Sequence, residues 1–170
     1  MDAGAPPGMR YEYDGLRAWA LAGASYVHNR LTTRIVVVLD RQLSGCDVLS
    51  SDQRVRIQDH QYVYPDVVAV CDAPQLTNDQ PPSLLNPRLV VEVLSASTEL
   101  SDLGWKVEAY LKIDSLDEYW IVRVDDPVIY RYIPHEDGWI VRIVRAGGVL
   151  ETERLGLRVE IDALYDEIES

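Results

Sequence analysis

Apolar residues recur along this chain at spacings that change from strand-like to helical and back. Tyr11-Glu12-Tyr13 and Arg17 to Leu21 flank Asp14-Gly15, a dipeptide that favours a tight hairpin turn. Ser25 stands where a helix cap belongs. Beyond it Val27, Leu31, Ile35 and Val38 fall at helical spacing, which predicts a helix to about Leu39 with one buried stripe. Short strands are predicted over 46–50 and 53–57; in the second, Val55 and Ile57 alternate with Arg54 and Arg56. Pro65-Asp66 opens an apolar strand from Val67 to Val70, and residues 72–87, with four prolines, read as a loop.

The run Leu89-Val90-Val91-Glu92-Val93-Leu94 reads as a fully buried strand with a carboxylate inside it. An unpaired buried carboxylate costs several kcal/mol, roughly, so Glu92 requires a partner or a metal. A helix is predicted from about Glu99 to Ile113, capped by Ser97 or Thr98, with Leu100, Leu103, Val107, Tyr110 and Leu111 on its apolar face. Its polar face carries Glu99, Asp102 and Lys106, the last two at an i, i+4 step. Strands are then expected over 118–124, 128–133 and 139–145, followed by a short strand and a small amphipathic helix. The order of elements predicts an α/β or α+β domain built on a mixed sheet.

Length and composition narrow the class. A chain of 170 residues, 47% hydrophobic and 26% charged, has the makings of one globular core. Residues 1–9 are expected to be a disordered leader and 10–170 a single domain. No apolar run reaches the roughly 20 residues of a membrane span, and no signal peptide is visible, so a cytoplasmic location is expected. Cys46 and Cys71 form no CxxC pair and have no histidine close by, so reduced core thiols are expected. The net charge of −12 argues against a sequence-independent polyanion binder, because affinity for nucleic acid comes mostly from Lys and Arg neutralising phosphates. Contact with nucleic acid would need a local arginine patch, a metal site or an oligomer that concentrates positive charge; Arg34, Arg41, Arg54 and Arg56 are the candidates for a patch. Among 16 cations only Lys106 and Lys112 are lysines, which singles them out for inspection.

Asp66 and Glu92 begin to explain each other. If their strands pair as antiparallel neighbours across the 72–87 loop, both carboxylates can point to one side. Such a pair suits Mg²⁺, which keeps several waters and takes one or two protein carboxylates. The blocks "YPDVVAVCD", "NPRLVVEVLSASTE", "D..GWK.EAY" and "EYWIV", preceded by "YEYDG", "AGAS..H" and "SD.RVRI", resemble in order those of the bacterial Uma-type family. That family is counted among restriction endonucleases of the PD-(D/E)XK nuclease superfamily. The resemblance runs from about Tyr11 to Ile168.

The resemblance implies a restriction-endonuclease-like core of order αβββαβ, with a mixed central sheet flanked by helices and extra C-terminal strands. It implies metal held by Asp66, Glu92 and the backbone carbonyl of Val93. Leu94 stands where the superfamily usually has its lysine, and Lys106 on the following helix matches the migrated position. The implied activity is hydrolysis of DNA phosphodiester bonds with Mg²⁺, or Mn²⁺ as a substitute, by a homodimer. His28 matches a family histidine, for which a structural role is expected ahead of a phosphate or second-shell one. The family often has Asp-Gly-Glu at the first hairpin, whereas here Leu16 follows Asp14-Gly15 and Glu12 is no obvious substitute. A catalytically inactive dimeric binding or regulatory module is the alternative. In a third reading the acids would be paired with Arg54, Arg56 or Arg88 in a purely structural domain.

Overall fold

A computed structural model describes residues 11–20, 23–58, 60–94, 104–166 and 168. The elements in chain order are β1 (Tyr11–Tyr13), β2 (Ala18–Ala20), α1 (Tyr26–Gln42), β3 (Asp47–Ser50), β4 (Val55–Gln58), β5 (Gln61–Val63), β6 (Val67–Val70) and β7 (Leu89–Leu94). They continue with α2 (Gly104–Tyr110), β8 (Glu118–Arg123), β9 (Val128–His135), β10 (Gly138–Arg145), β11 (Val149–Thr152), β12 (Leu157–Glu160) and α3 (Ile161–Tyr165). Six strands form the central sheet in the order β10-β9-β8-β7-β6-β3. Only β7 and β8 pair in parallel; the other four pairs are antiparallel, so the sheet is mixed as expected.

Each strand face is buried against a different layer. Leu89, Val91, Val93, Trp120 and Val122 pack with Leu31, Ile35 and Leu39 of α1 and with Leu157, Ile161 and Leu164 from β12 and α3. Val68, Val90, Leu94, Tyr119 and Ile121 face the other way, onto Ala109 and Tyr110 of α2 and Val55, Ile57 and Val63 of β4 and β5. Burial on both faces explains why β6 and β7 are almost continuously apolar. Glu118 at the start of β8 is also buried; Arg131 from β9 holds it with a 2.6 Å contact, and the Trp120 indole N–H donates to it.

The helix cap at Ser25 forms, its hydroxyl accepting from the His28 N–H at 3.2 Å, and the buried stripe settles on Leu31, Ile35 and Leu39 rather than Val38. Two strands escaped the sequence pattern. The segment β5 is three residues long and pairs β1 to β4 in a second sheet of order β2-β1-β5-β4, while β11 pairs with β12. The proposed start of the second helix at Glu99, its caps Ser97 and Thr98, and the Asp102–Lys106 step lie outside the described residues. So does the leader 1–9.

The expectation of two reduced thiols is overturned, since Cys46 and Cys71 form a disulfide. The reason is register. Asp47 faces Val70 across β3 and β6, so the same ladder continued by one residue sets Cys46 opposite Cys71, a relation that sequence spacing alone hides. Among the described residues, no helix is long and apolar enough to cross a membrane. Leu31→Ala is expected to destabilise the fold by about 3 kcal/mol through the cavity it leaves. Val37→Ala, on the exposed side of the same helix, should cost under about 0.5 kcal/mol. Urea unfolding of both variants checks which face of α1 carries the core.

Candidate active site

Glu92 faces the α2 side of the sheet, because its neighbours Val90 and Leu94 pack there while Val91 and Val93 face α1. The β6–β7 ladder matches Val67 to Val91 and Val68 to Val90, and one further step sets Asp66 across from Glu92. The antiparallel pairing across the 72–87 loop therefore brings the two carboxylates to one end of adjacent strands. That loop is itself tied down. Leu84 accepts from the Arg56 N–H and donates to the Arg54 carbonyl, and Asn86 bonds the backbone of Ala73 and Gln75.

Lys106 reaches the same place from α2. Its ammonium lies 3.3 Å from Glu92 Oε1 and 2.7 Å from Glu12 Oε1. The Tyr110 hydroxyl, one turn further along α2, donates to the same Glu92 oxygen at 2.8 Å. Glu12 is 4% exposed and also accepts from the Tyr64 N–H. Asp66 Oδ2 accepts from the Val93 N–H at 2.8 Å and lies 3.4 Å from His28 Nε2. The structure thus brings Asp66, Glu92, Lys106 and the Val93 backbone together, and adds Glu12, His28 and Tyr110 to them.

Glu12 corrects the reading of the first hairpin. Leu16 lies at its tip, 88% exposed, where Asp14 caps the turn by accepting from the Leu16 and Arg17 N–H groups. The acid directed inward is Glu12, set by strand alternation between Tyr11 and Tyr13. A carboxylate between two tyrosines on a short strand was the available sign. Its significance depended on the pairing of β1 with β5, which the sequence pattern did not reveal.

The arginines considered as partners for Glu92 go elsewhere. Arg54 bonds Ser83 and the Pro81 carbonyl and lies over the Tyr62 ring; Arg56 pairs with Asp79; Arg88 pairs with Asp72 and Asp117. Nor do the four candidates for a basic patch share one element, since Arg34 and Arg41 lie on α1, Arg56 on β4 and Arg54 just before it. Trp105 is half-buried beside the α2-side core.

The electrostatics follow from three carboxylates gathered in a largely buried place. Burial pushes the Glu92 carboxyl up to about 7; the Lys106 charge opposes that rise and the Asp66 and Glu12 charges add to it. Burial would lower the Lys106 ammonium, but Glu92 and Glu12 outweigh it and hold its pKa above the ordinary lysine value. The hydrogen bond to Asp66 raises His28 against the effect of burial. Tyr110 is pushed well up by burial and by the Glu92 charge, so it remains a donor.

The folded state holds the Glu92 proton to about pH 7, the unfolded chain only to about 4.5. This group's contribution to stability is therefore present below pH 4.5 and lost as pH rises to 7. Glu92→Gln does not titrate and should gain on wild type across that window, by about 1 to 3 kcal/mol at pH 8 relative to pH 5. Urea unfolding at the two values checks it; a Glu92 that serves the fold as an ion pair would instead make the variant less stable at pH 8.

Comparison with known proteins agrees with this architecture. A family model described as "Uma2: Putative restriction endonuclease" matches residues 1–163. From Synechocystis sp. (strain ATCC 27184 / PCC 6803 / Kazusa), "Uncharacterized protein slr1290" is 32% identical over 160 residues, covering 92% of this chain and 83% of that protein. "Uncharacterized protein sll1609" from the same organism is 36% identical over 114 residues, covering 65% of this chain and 63% of its own length. The crystal structure of a protein from Anabaena variabilis ATCC 29413, described as a putative nuclease belonging to DUF820, superposes with a TM-score of 0.76 at 14% identity. It covers 94% of this chain and 91% of that one, and shows that the two share a fold. With the match spanning nearly its whole length, the chain belongs to the Uma2 family of putative restriction endonucleases.

Proposed function

We propose that the chain is a metal-dependent endonuclease that hydrolyses phosphodiester bonds in DNA. The observation that carries the reading is the placement of Asp66 across from Glu92, with the Lys106 ammonium on the Glu92 oxygen. Buried titratable groups with shifted pKa values cluster at functional sites, which supports the reading. Fit to a metal rests on the donor set. Among the described residues no three His, Cys, Asp or Glu side chains converge as a ready-made cage. A hard cation that retains several waters does not need one, and two carboxylates with the Val93 carbonyl suit Mg²⁺, or Mn²⁺ in its place.

When bound, such an ion lowers the pKa of a water and stabilises charge on the phosphate. The chain's own residues do the rest. Asp66 is oriented by the Val93 N–H, and Glu92 by the Tyr110 hydroxyl. Lys106 carries a fixed positive charge beside them, suited to stabilising the negative charge that develops on the phosphate oxygens. The inactive-module alternative rests on the acidic balance of the chain and on Leu16; the inward position of Glu12 weakens the second ground and leaves the first. The working unit in this proposal is a homodimer, for which the edge strand β10, with Ile140, Val141 and Ile143 exposed, offers an apolar contact surface.

Calorimetric titration of Mn²⁺ tests the site without knowledge of a target sequence. Binding is expected in wild type and should disappear in Asp66→Ala and Glu92→Ala, each first shown to be folded. Plasmid nicking in Mg²⁺ should fall by roughly 10²- to 10³-fold in Lys106→Met, the usual loss when one charge-stabilising group is removed. Wild type that binds no Mn²⁺ would defeat the proposal.

A further inference from the structure

The proposed metal site already contains a cation. Lys106 Nζ is within 3.3 Å of Glu92 Oε1, the carboxylate assigned to the metal, and within 2.7 Å of Glu12 Oε1. The side chains of all three residues are largely buried, the lysine at 13% exposure and each glutamate at 6%. A divalent ion entering beside Glu92 would meet an ammonium at close range in a medium of low dielectric, where like charges repel strongly. The lysine must stay near the site to act on the substrate, yet release Glu92 enough for the ion. Glu12 is placed to resolve that conflict, because it is anchored independently, through the Tyr64 N–H on the β5–β6 connection, and makes the shorter contact with the ammonium.

We propose that Glu12 is a positioning residue that draws the Lys106 ammonium off Glu92, so that metal binding is coupled to a handover of this one cation from Glu92 to Glu12. Lys106 thereby acts as an intramolecular competitor for the metal as well as a group that faces the phosphate. Without metal the ammonium bridges both carboxylates and keeps Glu92 from standing as an unpaired buried anion. With metal on Glu92, Glu12 keeps the ammonium within the site and neutralised. Glu12 works through the lysine and touches neither ion nor substrate. This inference rests on the metal reading proposed above and specifies how that site exchanges its cations.

A double-mutant cycle on Mn²⁺ affinity tests it, with titration calorimetry on wild type, Glu12→Gln, Lys106→Met and the double variant, each checked for folding by circular dichroism. Glu12→Gln should weaken Mn²⁺ binding by about tenfold, within the coupling seen for contacting charges, because the ammonium then falls wholly on Glu92. Lys106→Met should tighten binding, and in that background Glu12→Gln should change it by less than about twofold. Loss of affinity from Glu12→Gln that persists without the lysine would make Glu12 a ligand itself and overturn the handover. An unchanged affinity in Glu12→Gln would overturn it equally. Absence of Mn²⁺ binding in wild type would instead remove the metal reading beneath it, so the two failures are distinct. If Glu12→Gln does not fold, Glu12→Met, which also removes the charge and fills a similar volume, takes its place in the same cycle, and the same results support or overturn the handover.

Discussion

A single ammonium group balances the interior of this site. Glu12, Asp66 and Glu92 approach one another from three strand segments, and the Asp66 and Glu12 charges make an ionised Glu92 more costly. Lys106 supplies the opposing positive charge from a fourth direction, and the Tyr110 hydroxyl adds a donor from the same helix. Ion pairs of this depth seldom add to stability, since desolvation consumes most of the attraction. The arrangement fits the metal site proposed above better than a device for stability. The buried Glu118–Arg131 pair is the contrast: both Glu118 oxygens are occupied by arginine and indole donors, and nothing about it invites a ligand.

The scaffold achieves the convergence with few parts. Antiparallel register between β6 and β7 sets two carboxylates opposite one another, and a proline-rich loop pinned by Arg54, Asn86 and Leu84 fixes that register from outside. The first hairpin lies along β5 and so delivers Glu12.

Much of this was legible in the chain itself. Period-two and helical spacings marked most of the strands and the first helix, and the misfit of Glu92 in an apolar run pointed directly at the site. Asp66 followed from the expected pairing of its strand with that of Glu92, Lys106 from the scarcity of lysine, and the resemblance gave both a role; the structure brings both beside Glu92. What stayed hidden depended on pairing between distant segments. Glu12 gains its meaning only when β1 meets β5, and β5 is too short to announce itself by alternation. The Cys46–Cys71 link needed the β3–β6 register, and Arg54, expected on a polar face, is buried because Ser83, Pro81 and Tyr62 enclose it. Local pattern reports propensity and facing; it carries no record of which strand lies next to which.

The parallel pairing of β7 with β8 has a consequence for when the site exists at all. Parallel neighbours cannot be joined by a tight turn, so the chain must leave β7, cross over and return. Lys106 rides on that crossover. A chain in which β8 has not yet docked holds its acids but lacks the lysine in its place. In an emerging or partly unfolded copy Asp66 and Glu92 would stand without their lysine, and the three groups would come together only as the sheet closes.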